Sequence, residues 1–127
     1  VGSIEWSVER NQAAVWLRDN ARNDDVLATN QVEQAMIPAA ARLRTYLSGL
    51  PYQAMYGSVS MVDEVSLRDA YSRSLTKGLT PESIRAMCSV GVDWLWVEGA
   101  STEMTAPVVF ANEGVTIYRL TNSECVE

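Results

Sequence analysis

The stretch LTPESIRAMCSVGVDWLWVEG, residues 79–99, decides how the rest of the chain is read. Thr80 is placed as a helix N-cap. Pro81 follows at the first helical position, where its missing N–H costs nothing, and Glu82 sits beside the positive end of the helix dipole. Ile84, Met87 and Cys88 fall on one face of this helix, and Gly91 stops it. Val92, Trp94 and Trp96 then alternate with Asp93, Leu95 and Val97. Both sets are largely apolar, which predicts a strand covered on both faces, the situation of an interior strand in a sheet flanked by helices.

Upstream, residues 63–77 place Leu67, Tyr71 and Leu75 four apart, and Gly78 stands where a C′ residue belongs. Nearer the start, Ser3 is a candidate N-cap with Glu5 in the first turn, and Trp6, Ala13, Ala14, Leu17 and Ala21 share a helical face. RNDD (22–25) breaks that pattern, and VLATN (26–30) reads as a short buried strand. Pro38 is expected to end or kink any helix begun at Gln31, with a stop near Ile37. Residues 42–48 alternate like a strand, although 39–47 also suit a helix. GLP (49–51) signals a turn, and YQAMYG reads as a strand ending at Gly57. Downstream, VVFANEGVTIYRL (108–120) predicts a hairpin whose short loop holds Asn112, Glu113 and a glycine, Gly114, able to take positive φ. The order predicts a single α/β domain over 1–127, with a small two-layer or three-layer Rossmann-like, partly parallel sheet, helices, and a C-terminal β-hairpin extending one edge.

Composition narrows function by exclusion. With 47% hydrophobic and 20% charged residues in 127, the chain is apolar enough to build one core. A net charge of −6, with the ten Lys and Arg scattered along the sequence, disfavours nucleic acid as a partner. The chain has no histidine, so no Ser-His or Cys-His nucleophile is available. No GxGxxG or Walker-type phosphate loop occurs, and no metal-ligand spacing or cofactor motif is present. The uncharged run 45–62 matches a membrane span in length, but Gly49, Pro51, Gln53, Gly57 and three serines suit it poorly for insertion. There is no signal-peptide pattern, and a first residue that is valine is expected of a chain cut from a longer one.

Ligands of open α/β sheets collect beyond the carboxyl ends of the parallel strands. The residues expected there are Thr29, Asn30, Gly57, Glu98 and Gly99, and if their strands are parallel neighbours, Asn30 and Glu98 share a rim suited to a polyol or sugar. The alternative is that Asn30 only turns the chain and Glu98 is a solvated strand terminus. The paired acids Asp24 and Asp25, and Asp63 and Glu64, sit where turns and helix starts already favour acids. Trp94 and Trp96 read as core, while Trp6 and Trp16 offer a contact for whatever precedes the chain. Cys88 and Cys125 fit no CxxC pattern; either one is buried and the other free in the tail, or they form one disulfide.

Taken in order, DDVLATNQ (24–31), YLSGLPYQAMYG (46–57), LTPESIRAMCSVGVDWLWVEG (79–99) and VVFANEGVTIYRL (108–120) resemble the soluble C-terminal region of polytopic actinobacterial membrane proteins of the GT-C-like glycosyltransferase type. Leu50 departs from that pattern, since relatives often carry a basic residue after the glycine. The resemblance implies an extracytoplasmic domain attached to an upstream transmembrane region, and it favours the Cys88 to Cys125 bridge. It also implies that the catalytic acids lie in the membrane part, with no catalytic residue in this chain. The domain is then expected to be an accessory to a glycosyltransferase using a lipid-linked sugar donor, contacting the membrane part or a cell-wall glycan. On this reading Glu98→Ala has little effect on folding. The alternative is an independent soluble α/β protein that binds a small ligand, or a small enzyme, with Asn30 and Glu98 in its cleft.

Overall fold

The computed structural model describes residues 7–31, 36–46, 59–78, 80–99, 106–120 and 125. In chain order the elements are α1 (Val8–Asn20), β1 (Val26–Thr29), α2 (Met36–Ala41), β2 (Arg44–Thr45), α3 (Val59–Ser74) with a 3-10 turn (Leu75–Lys77), α4 (Pro81–Ser89), β3 (Val92–Val97), β4 (Val108–Ala111) and β5 (Thr116–Arg119). The five strands form one mixed sheet in the order β2-β1-β3-β5-β4. β1 is parallel to both β2 and β3, and β5 is antiparallel to β3 and β4. The fold is therefore α/β with a C-terminal hairpin at one edge.

Side-chain alternation explains the layers. Leu27, Trp94, Trp96 and Ile117 pack with Ala13, Ala14 and Leu17 of α1 and Ile37 and Ala41 of α2. Their strand neighbours Ala28, Leu95, Val97 and Tyr118 pack on the other face with Leu75 and Met87. Tyr71 of α3 and Cys88 of α4 adjoin this second cluster. Helices thus cover both faces, as right-handed crossovers require when the chain first steps outward from β1 to β2 and then doubles back past β1 to β3. β3, central and covered on both sides, is the interior strand that its apolar run predicts.

Local signals explain most boundaries. The Thr80 hydroxyl accepts from the Ser83 N–H at 3.1 Å and the Ser83 hydroxyl accepts from the Thr80 N–H at 2.9 Å, a reciprocal cap with Pro81 behind it. Gly78 and Gly91 hold φ of 108° and 78°, the left-handed backbone that closes a helix without a Cβ penalty. At α1 the observed N-cap is Ser7; Ser3, Glu5 and Trp6 lie outside the described residues. Around Pro38 the expectation is overturned, because the helix continues through it to Ala41. Proline ends a helix only where its ring meets a preceding turn, and it is tolerated near a helix start. The second strand is only Arg44–Thr45, and the expected turn at 49–51 and strand 52–57 lie outside the described residues.

The hairpin corrects a second expectation. Gly114 does not hold positive φ. The Asn112 carboxamide oxygen instead closes the loop by accepting from the N–H groups of Gly114 and Val115, at 2.9 and 2.8 Å. Its Nδ2 reaches α1, donating to the Glu9 carbonyl at 3.0 Å and to Gln12 Oε1 at 3.1 Å. This docking brings α1 so close that a Cβ on Gly114 would lie 2.9 Å from Glu9 Cβ and 3.2 Å from Glu9 Cγ. The glycine is needed for close approach. Gly114→Ala is expected to cost about 1–3 kcal/mol, the range for forcing an extra methyl into a packed contact. Urea unfolding reads this directly, and an unchanged midpoint would mean that α1 shifts freely.

Candidate functional site

The carboxyl ends of β1 and β3 are where a doubly wound sheet opens its ligand crevice, because the chain leaves β1 for one edge while β3 lies on the other side. The structure brings Thr29, Asn30, Glu98 and Gly99 to this rim; Gly57 lies outside the described residues. Asn30 and Glu98 are neighbours across the parallel pair. The crevice between them is stitched shut by the Asn30 side chain, whose Oδ1 accepts from the Glu98 N–H at 3.0 Å. Its Nδ2 donates to the Glu98 carbonyl at 2.6 Å and to Thr76 Oγ1 at 2.8 Å. The carboxamide thus extends the β1–β3 ladder by mimicking one more residue of strand.

Glu98 is also engaged. Arg10 of α1 grips it in a fork, with Nε donating at 2.9 Å to Oε2 and Nη2 at 2.9 Å to Oε1, and Trp96 Nε1 donates to Oε2 at 2.8 Å. Both side chains of the ion pair are only 17% exposed. A bidentate guanidinium and an indole N–H together occupy the strong acceptor directions of the carboxylate. Glu98 therefore fastens the start of α1 to the end of β3. This reverses the expectation that its removal leaves folding unaffected, because Arg10 and the Trp96 indole would lose their acceptor in a largely desolvated place. Thr29 is buried, with its hydroxyl accepting from the Gln31 N–H at 3.1 Å, and Gly99 is exposed at φ 78°.

The opposite end of the sheet holds a second carboxylate, Asp25, which does more than occupy a turn. Asp25 Oδ2 accepts from Trp94 Nε1 at 2.9 Å and from the Arg22 N–H at 2.9 Å. The Arg119 guanidinium lies 4.0 Å from the same oxygen and stacks 4.3 Å over the Trp94 ring. Trp16 meets Trp94 edge-on and also packs beside Phe110, so this tryptophan is engaged within the domain. The two tryptophans of β3 thus have their indole N–H groups satisfied by carboxylates at opposite ends of the sheet. A polar tip at each end of an apolar strand lets large aromatic rings be buried without an orphaned donor.

On the second face, burial pushes the Tyr118 hydroxyl above the ordinary tyrosine range, so this ring stays neutral inside the core. Cys88 of α4 and Cys125 are joined by a disulfide, with Cα atoms 5.6 Å apart. Arg10 and Asp25, the two residues that organise the ends of the sheet, carry no sequence signal that singles them out. Their partners are 88 and 69 positions away in the chain. Comparison of the chain with protein-family models, curated protein sequences and solved structures finds no match.

Proposed function

We propose that this domain is an accessory, extracytoplasmic part of an integral membrane protein, a glycosyltransferase using a lipid-linked sugar donor, and that it contacts a glycan or the membrane part. The observation that carries the reading is the Cys88–Cys125 disulfide. Such bridges persist in oxidising compartments and are rare where glutathione and thioredoxin keep thiols reduced. The alternative of a small-molecule cleft at the strand ends draws less support, since the polar groups of Asn30 and Glu98 are taken up by each other and by Arg10, Trp96 and Thr76.

The test uses the full-length protein in its own membrane, with an epitope tag after the last residue. Protease added to intact cells is expected to remove the tag, and the reading frame upstream is expected to encode apolar segments of roughly twenty residues. A tag protected until the membrane is broken, or an upstream frame without such segments, would overturn the proposal.

A further inference from the structure

Five of the ten basic residues, scattered in sequence, meet at the end of the sheet where the parallel strands begin. The Arg22 N–H and the Arg44 N–H bond Asp25, through its carboxylate and its carbonyl respectively, and Arg119 approaches the same carboxylate. Arg18, at the end of α1, and Arg42, just after α2, line a common hollow of about 350 Å³. Asp19 and Asn23 add polar groups to its lining, and Ala21 and Leu43 add aliphatic ones. The described acids at this end are Asp19, Asp24, Asp25 and Asp93, of which Asp25 accepts from Trp94 and Asp93 from the Val26 N–H, so the five arginines outnumber them by one. Among the described residues, the guanidinium groups of Arg18, Arg22, Arg42 and Arg44 have no carboxylate at ion-pair distance. In a chain of net charge −6, this end runs against the whole.

Arg42 adds a second, independent observation. Its φ is 60°, and it is the one non-glycine with positive φ among the described residues. The position directly follows a helix, where glycine or asparagine fits the left-handed backbone without strain. Strained residues of this kind gather at functional sites. Glycine would serve the turn better, so what arginine contributes here is its guanidinium, on a residue that lines the hollow together with Arg18.

We propose that this hollow binds the oxyanion of a hydroxylated ligand, a phosphorylated or carboxylated sugar. Arg18 and Arg42 take the oxyanion, since guanidinium groups match phosphate and carboxylate oxygens in pairs. Asn23 and Asp19 meet neighbouring hydroxyls, one able to donate and both able to accept. Ala21 and Leu43, both half-buried in the lining, receive a C–H face of the ring. The inference rests on these side chains and not on the cellular placement proposed above, so either can fail without the other.

The test is titration of the 127-residue chain with glucuronate, glucose-6-phosphate, glucose and inorganic phosphate, followed by calorimetry and backbone amide shifts. The two acidic sugars are expected to bind saturably, with shifts centred on Asn23 and Leu43, and glucose and phosphate about tenfold more weakly. The tighter of the acidic sugars tells whether carboxylate or phosphate is the natural group. Arg42→Gly is expected to weaken binding about tenfold while leaving the melting temperature equal or higher, because the substitution relieves the backbone as it removes the charge. Lys77→Ala, at the other end of the sheet, should change neither. Absence of saturable binding overturns the proposal, and so does affinity retained in both Arg42→Gly and Arg18→Ala. Inorganic phosphate binding as tightly as the sugar phosphate would overturn it too, by showing that no hydroxyl is read. A fall in melting temperature in Arg42→Gly would mark Arg42 as a structural residue and overturn its assigned role.

Discussion

Glu98→Ala is expected to destabilise the domain by about 2–4 kcal/mol, between the cost of losing hydrogen bonds to a charged group and that of breaking a buried ion pair. The substitution strips the Arg10 fork of its acceptor and leaves the Trp96 indole N–H facing apolar neighbours. Arg10 can recover some hydration by moving outward, so the loss stays below that of a fully enclosed pair. Urea denaturation gives the magnitude, and a double-mutant cycle with Arg10→Ala separates the pair from the indole. Coupling of about 0.5–3 kcal/mol is expected between the two positions. Coupling near zero, with a small effect of Glu98→Ala alone, would mean that Glu98 is a solvated terminus after all. Glu98→Gln keeps an acceptor for the indole and loses the charge, so its effect should fall between wild type and alanine.

Removal of the disulfide has the other large expected effect. The bridge joins residues 37 apart, and the unfolded chain loses the freedom to separate them. For a loop of this size the chain-entropy relation gives about 3–4 kcal/mol. Serine at both Cys88 and Cys125 should therefore lower the melting temperature by about 11–15 °C for a domain of this length. Cys88 and Cys125 both adjoin the second core cluster, so the bridge also holds residue 125 against α4. The oxidation state itself is checked by mass spectrometry without reductant, where the bridged peptide is expected. Quantitative alkylation of both thiols in the native protein would refute the bridge and remove the main support for an extracytoplasmic location.

Part of this architecture is legible from local chemistry. The cap at Thr80, Pro81 at the first helical position and the glycines at 78 and 91 act through their immediate neighbours, so sequence suffices to place them. The doubly apolar run from Val92 to Val97 foretells a central strand for the same reason, since covering both faces of a strand has only a few solutions. Pro38 shows where this logic fails, because whether a proline ends a helix depends on which turn it occupies. Gly114 shows it again. Its need for glycine comes from Glu9, a residue 105 positions earlier, and no turn preference announces that contact.

Local patterning was enough for the fold class, the interior strand and the rim shared by Asn30 and Glu98, because periods of two and 3.6 act residue by residue along the chain. What those residues do follows from contacts between distant parts of the chain. Parallel pairing of β1 with β3 let the Asn30 carboxamide close the crevice, and the packing of α1 across the sheet brought Arg10 to Glu98. The same folding set the backbone of Arg22 and Arg44 and the guanidinium of Arg119 against Asp25, and brought Arg18 and Arg42, dispersed in sequence, into one hollow. Charge and hydrogen bonding act through space over a few ångströms, and which groups come that close is set by topology, not by order along the chain.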